Sequence, residues 1–110
     1  MKKLEDILIK YNFNLASKGF NYWLTAVEIA KKNPMWRIGN IYEEIANTFD
    51  TSYKQVEKRM KESRANSNLA EKYKRKSLRN SEVLRLLIIE ERRMENEKVS
   101  NRLHNGIWKR

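Results

Sequence analysis

The sequence predicts an all-α fold: a compact domain of five to six helices that contains a helix-turn-helix. Three observations predict it. Only one proline and three glycines interrupt 110 residues. No run alternates apolar and polar residues as a half-buried strand would. Apolar residues instead recur at helical spacing in one segment after another.

In chain order, Leu4, Ile7, Leu8 and Tyr11 share one face of a short first helix, and Asn12 to Ser17 is a loop of turn-forming residues. Phe20, Trp23, Leu24, Val27 and Ala30 mark a second helix. Asn33-Pro34 should stop it, because the residue before a proline avoids the helical region. Ile38, Ile41, Tyr42, Ile45, Ala46 and Phe49 fall at i, i+3, i+4, i+7, i+8 and i+11, one continuous stripe. Asp50-Thr51-Ser52 interrupts that stripe, and Ser52 with Gln55 has the form of a capping box opening another helix. There only Val56 and Met60 clearly face inward, while Lys54, Lys58 and Lys61 share the opposite face.

The stretch Ile38 to Arg64 therefore reads as a helix-turn-helix. The small Ala46 permits a close approach of the two helices and the branched Val56 fills the angle between them. Leu69 and Tyr73 anchor a short helix or turn inside a basic connector, Lys72 to Arg79. Asn80 or Ser81 then caps a long final helix with Val83, Leu84, Leu87 and Ile88 on its core face. The domain is expected over residues 1–93, with residues 94–110 as a C-terminal extension. In that extension Val99, Leu103 and Ile107 recur at intervals of four, followed by Trp108. Such a stripe packs back on its own domain, serves a dimer or other protein contact, or frays.

Composition narrows the function. The formal charge is +10, and between Thr51 and Arg79 ten Lys and Arg face three Glu, a local balance of +7. Charge concentrated on and after a recognition-type helix is the footprint of phosphate binding. The bland alternative is a solubilising face. The absence of cysteine excludes disulfides and thiolate metal sites. Met1-Lys2-Lys3 leads into an amphipathic helix, not an apolar signal core, and no apolar run approaches membrane-spanning length. A cytoplasmic protein with no membrane partner is the expectation. No catalytic, cofactor or metal site is expected. His104 is the single histidine. The Glu43-Glu44 and Glu90-Glu91 pairs sit on helices, where neighbours diverge by about 100°.

Three blocks of this chain resemble a known family. Leu15 to Val27 (LASKGFNYWLTAV) is similar to the lysine-glycine-aromatic segment of the C-terminal effector domain of the stage-zero sporulation response regulator. Tyr42 to Met60 (YEEIANTFDTSYKQVEKRM) resembles that domain's helix-turn-helix, and Asn80-Ser81-Glu82 its closing helix. The resemblance implies a transcription-factor domain whose recognition helix enters the major groove of tandem promoter sites. It also implies a stand-alone effector domain here, since 110 residues leave no room for the family's receiver domain. The chain departs from the pattern in having Gln55 and Lys58 where the family has arginines, so its preferred DNA should differ. The connections Pro34–Tyr42 and Arg64–Asn80 are shorter than the family's.

The expected base contacts are Lys54, Gln55, Lys58 and Lys61. Glu57 either accepts from a cytosine amino group or pairs with Lys61 at i+4. Expected phosphate contacts are Ser52 at a helix N-terminus, Lys18, and the connector residues Lys72, Lys74, Arg75 and Lys76. Against these stand a plain cap for Ser52, a tight turn at Gly19 beside Lys18, and a solvated connector. Trp23 and Trp36 are expected in the core or at its edge. The leading expectation is a sequence-specific double-stranded DNA-binding transcriptional regulator, as a homodimer or in tandem on DNA. The alternative is a protein-interaction module or phage-type inhibitor that keeps the scaffold but targets a nucleic-acid-binding protein. Structured RNA lacks support from exposed aromatics in the sequence pattern.

Overall fold

Each apolar stripe becomes a helix. A computed structural model describes the backbone of residues 2–108 and the side chains of residues 3–96. In chain order the helices are α1 (Lys2–Lys10), α2 (Lys18–Lys32), α3 (Ile38–Thr48), α4 (Tyr53–Ser63), α5 (Leu69–Lys72) and α6 (Asn80–Trp108), with no strand among the described residues. The all-helical class and the helix count agree with the sequence reading. The final helix runs through Met94 without a break. The expectations for the side chains of Val99, Leu103, His104, Ile107 and Trp108 lie outside the described residues.

The core forms where the stripes converge. Trp23 is fully buried at its centre, Phe13 meets the indole edge-on with ring centroids 5.8 Å apart, and the indole Nε1 donates to the Met60 carbonyl at 2.9 Å. α2 packs most extensively on α4 and also touches α1, α3 and α6, so it is the axis of the domain. Gly19 makes the α2–α4 approach possible. A Cβ there would lie 2.0 Å from the Arg59 carbonyl oxygen and 2.8 Å from the Ser63 Cβ. The glycine serves backbone proximity inside a helix, not a tight turn.

Three helices end in the same way, and none of them uses glycine. After α1, α3 and α5 the chain enters the left-handed region at Asn12 (φ 63), Asp50 (φ 52) and Lys74 (φ 55). In each case the next residue's amide reaches back over the last turn: Phe13 to Leu8, Thr51 to Ala46 and Arg75 to Ala70, all at 2.9 Å. These are the long bonds of Schellman endings, which satisfy carbonyls the helix itself leaves open. At the first ending Phe13 and Leu8 are both buried, the apolar contact that usually accompanies the motif. α2 stops differently: both the amide and the side chain of Asn33 donate to the Ile29 carbonyl just before Pro34.

Two local expectations are corrected. Neither Asn80 nor Ser81 caps α6. The backbone amide of Arg79 donates to the Glu82 carboxylate at 3.0 Å, and the Asn80 side chain is drawn into the interior. Phe49, at the end of the α3 stripe, is 40% exposed and leans on Tyr22 with ring centroids 5.0 Å apart, because α3 ends one residue before it.

Candidate nucleic-acid interface

α4 begins just after Ser52, its N-cap residue. Ser52 Oγ accepts from the backbone amide of Gln55 at 3.2 Å, which is one half of the expected capping box; no return bond from the Gln55 side chain to the Ser52 amide forms among the described residues. Val56, Met60 and Ser63, at i, i+4 and i+7, are buried and form the inward seam. Ser63 was missed as a seam residue because it is polar. Its small side chain suits the contact with Gly19, and its Oγ is buried without a hydrogen-bond partner among the described residues.

With that seam fixed, helical geometry turns Lys54, Lys58 and Lys61 to the opposite side. All three are exposed, and none forms an ion pair among the described residues. Gln55 is exposed on the flank of this face. Glu57 is exposed on the other flank and makes no ion pair with Lys61, so the i+4 pairing, one of its two expected roles, does not form. An exposed i,i+4 pair contributes only a few tenths of a kcal/mol, too little to fix two mobile side chains. The pair α4 does form is Arg59 with Glu62, at 3.4 Å.

The rest of the structure holds α4 in place from behind. Arg64 Nε donates to the Asn80 Oδ1 at 2.5 Å. The Asn80 amide donates to the Tyr42 hydroxyl at 2.9 Å and to the Glu57 carbonyl at 3.4 Å. This cluster joins α3, α4 and α6 at one point. Burial lowers the Arg64 pKa, with Tyr42 and Glu82 pulling the other way, and burial raises that of the Tyr42 phenol. At the start of α4, Tyr53 stacks edge-on against Tyr42, centroids 5.2 Å apart. Behind its end, the Asn14 amide donates to the Ser63 carbonyl at 2.8 Å and the Asn68 amide to the Tyr11 carbonyl at 3.1 Å. The segment leaving α4 is thus tied to the loop between α1 and α2.

The phosphate candidates separate into two groups. Lys18, at the first position of α2, and Lys74 and Lys76 in the connector are exposed and free of ion pairs among the described residues. Lys72 and Arg75 are engaged within the fold. Lys72 Nζ meets Glu90 and donates to the Tyr11 hydroxyl at 2.6 Å, while Arg75 pairs with Glu82 at 2.9 Å. The carboxylates of α6 therefore neutralise part of a connector that looked uniformly cationic. Ser52 is committed to its cap, and Ser17 donates its hydroxyl to the Asn14 carbonyl instead of capping α2.

The Glu90-Glu91 pair diverges as its helical spacing requires. Glu90 faces Tyr11, Lys72 and Tyr73, whereas Glu91 reaches Lys31 at 2.6 Å. Trp36 lies at the surface, 42% exposed, and Trp23 is in the core. Among the described residues no cluster of His, Asp or Glu has the geometry of a metal site, and no helix is long and apolar enough to cross a membrane.

In comparisons with known proteins, no family model, curated protein or solved structure matches this chain.

Proposed function

We propose that the protein is a sequence-specific double-stranded DNA-binding regulator of transcription, acting in the cytoplasm, that inserts α4 into the major groove. The observation that carries this reading is the division of α4. One face is locked into the core by Val56, Met60 and Ser63, and the other presents three lysines that form no ion pair among the described residues. The helix carries little apolar surface beyond its seam, so that positive face is available to a partner rich in phosphate.

In this reading Gln55 and Lys58 read base edges, and Lys54 and Lys61 contact bases or phosphates. Glu57, exposed on the flank with no ion pair among the described residues, is available to accept from a cytosine amino group. Lys18, Lys74 and Lys76 supply backbone contacts that set register without reading sequence. Lys72 and Arg75 contribute less than the sequence alone suggested, because each already has a carboxylate partner. A helix of this length reads few base pairs, which favours a homodimer or tandem copies on DNA. The likeness to the stage-zero sporulation effector domain supports the same docking.

The test is selection from a random duplex library with the full chain, repeated with Gln55→Ala and Lys58→Ala. The expected result is a defined motif that relaxes in each variant, by about 1–3 kcal/mol of discrimination at the position read. Affinity should fall steeply with salt. Strong binding without any motif would reduce the protein to a nonspecific DNA binder. No binding even at low salt would sink the proposal in favour of a protein target.

A further inference from the structure

A groove of about 720 Å³ lies on a surface to which α4 contributes nothing. Its walls come from the end of α2, the loop leading to α3, the start of α3, and α6. Ile38, Ile41, Leu84 and Ile88 make an apolar floor. At its edge stand Met35, 91% exposed, and Trp36. Four cations line it, Lys31, Arg37, Arg85 and Arg92, and no Asp or Glu does. Lys31 is held by Glu91, but the three arginines are exposed and have no ion pair among the described residues.

We infer that this groove docks an acidic amphipathic helix of a partner protein, with apolar side chains on the floor and carboxylates facing Arg37, Arg85 and Arg92. Three arguments select this occupant. An exposed Trp and Met beside arginines is the composition of protein-interface centres, where such residues anchor binding. Leaving them in water without a partner gains nothing for folding. Duplex DNA would satisfy the arginines but would leave the Ile and Leu floor empty, because a phosphate backbone brings no apolar surface. The chain's own C-terminal stripe has the wrong charge: residues 98–110 hold Lys98, Arg102, Lys109 and Arg110 and no acidic residue. An acidic helix with apolar residues at i, i+3, i+4 and i+7 fits both the floor and the rim.

Three labelled synthetic peptides of about four helical turns test this. One carries leucine and phenylalanine on a single face with glutamate elsewhere. A second has the same face with lysine for glutamate, and a third is a scramble of the first. Anisotropy with the full chain should show the acidic amphipathic peptide binding at least tenfold tighter than either control. Trp36→Ala and Arg85→Glu should each weaken it by about tenfold or more. Thermal melting checks that both variants are folded, and since both side chains are exposed, both should be. In proton–nitrogen correlation spectra the Trp36 indole and the Ile38 and Ile88 amides should shift. Equal binding of all three peptides, unchanged affinity in both variants, or shifts confined to α4 would each overturn the inference. So would a DNA duplex that moves the Trp36 indole when the acidic peptide does not.

Discussion

An alanine at position 19 would meet two opposing effects. In an ordinary helix interior, replacing glycine by alanine gains about 1 kcal/mol from reduced backbone freedom in the unfolded chain. Here the added methyl would sit 2.0 Å from the Arg59 carbonyl oxygen, and that oxygen belongs to backbone, which cannot swing aside. Separating α2 from α4 to make room would disturb the most extensive packing in the domain. Gly19→Ala is therefore expected to destabilise by about 3 kcal/mol, in the upper range for overpacked sites. Chemical denaturation at neutral pH checks this, and unchanged or improved stability would mean the helices do not approach as described. In the DNA reading the effect should extend to DNA affinity, because Gly19 lies against Arg59 and Ser63 on the rear of the helix that presents Lys54, Lys58 and Lys61. Nothing in the sequence around Gly19 distinguishes this role from a turn. The signal exists only once Arg59 and Ser63 are known to lie opposite.

At the scale of the helix, endings were less legible than faces. The apolar periodicity placed Val56 and Met60 inward and the lysines outward, because a 3.6-residue repeat writes that division into the local sequence. The endings at Asn12, Asp50 and Lys74 carry no glycine to announce them. Asn and Asp tolerate the left-handed region, but a lysine there is disfavoured by its Cβ. Lys74→Gly should consequently stabilise the fold by about 0.5–1 kcal/mol, the relief of strain being partly offset by the freer unfolded chain. A rise in the denaturation midpoint with unchanged slope would confirm it. In the DNA reading the same variant loses one phosphate contact, so the salt slope should become shallower by about one. Improved stability with weaker binding is a combination that a purely structural role for Lys74 does not produce.

For the molecule as a whole, Glu90 is the tie between distant parts of the chain. Its carboxylate accepts from the Tyr11 hydroxyl at 3.0 Å, the Tyr73 hydroxyl at 2.5 Å and Lys72. It thereby joins the end of α1 and the short α5 to α6. Burial pushes this carboxyl up, but the bonds from Lys72, Tyr73 and Tyr11 outweigh burial and leave it below its ordinary value. A depressed carboxylate stabilises the fold above its unfolded pKa, about 4.3 for Glu. That contribution is lost as pH falls through the lower folded value. The Lys72 ammonium is shifted up by its bonds to Glu90 and Tyr11, so its share is present at neutral pH and lost only at strongly alkaline pH. Glu90→Gln should cost about 1–3 kcal/mol at pH 7, since a neutral amide answers these donors less well. The variant should also lose less stability than the native protein between pH 5 and acid, roughly the window set by an ordinary Glu. Parallel pH profiles of the two proteins would contradict this account.

Local pattern determined what kind of molecule this is. Spacing of apolar residues set the five longer helices and their buried faces and left α5 open between a helix and a turn, and the charge count set the positive surface of α4, because both properties are fixed within a few turns of chain. Tertiary structure decided which cations remain available. Lys72 and Lys74 look equivalent in sequence, yet one is bound to Glu90, 18 positions away, and the other is free of ion pairs among the described residues. It also decided that Asn80 leaves its capping position to bond Arg64 and Tyr42, and that Trp36 stands beside an arginine-rimmed groove. Such pairings depend on where whole helices come to rest against one another, and the 3.6-residue repeat specifies the face a helix buries without specifying its neighbour.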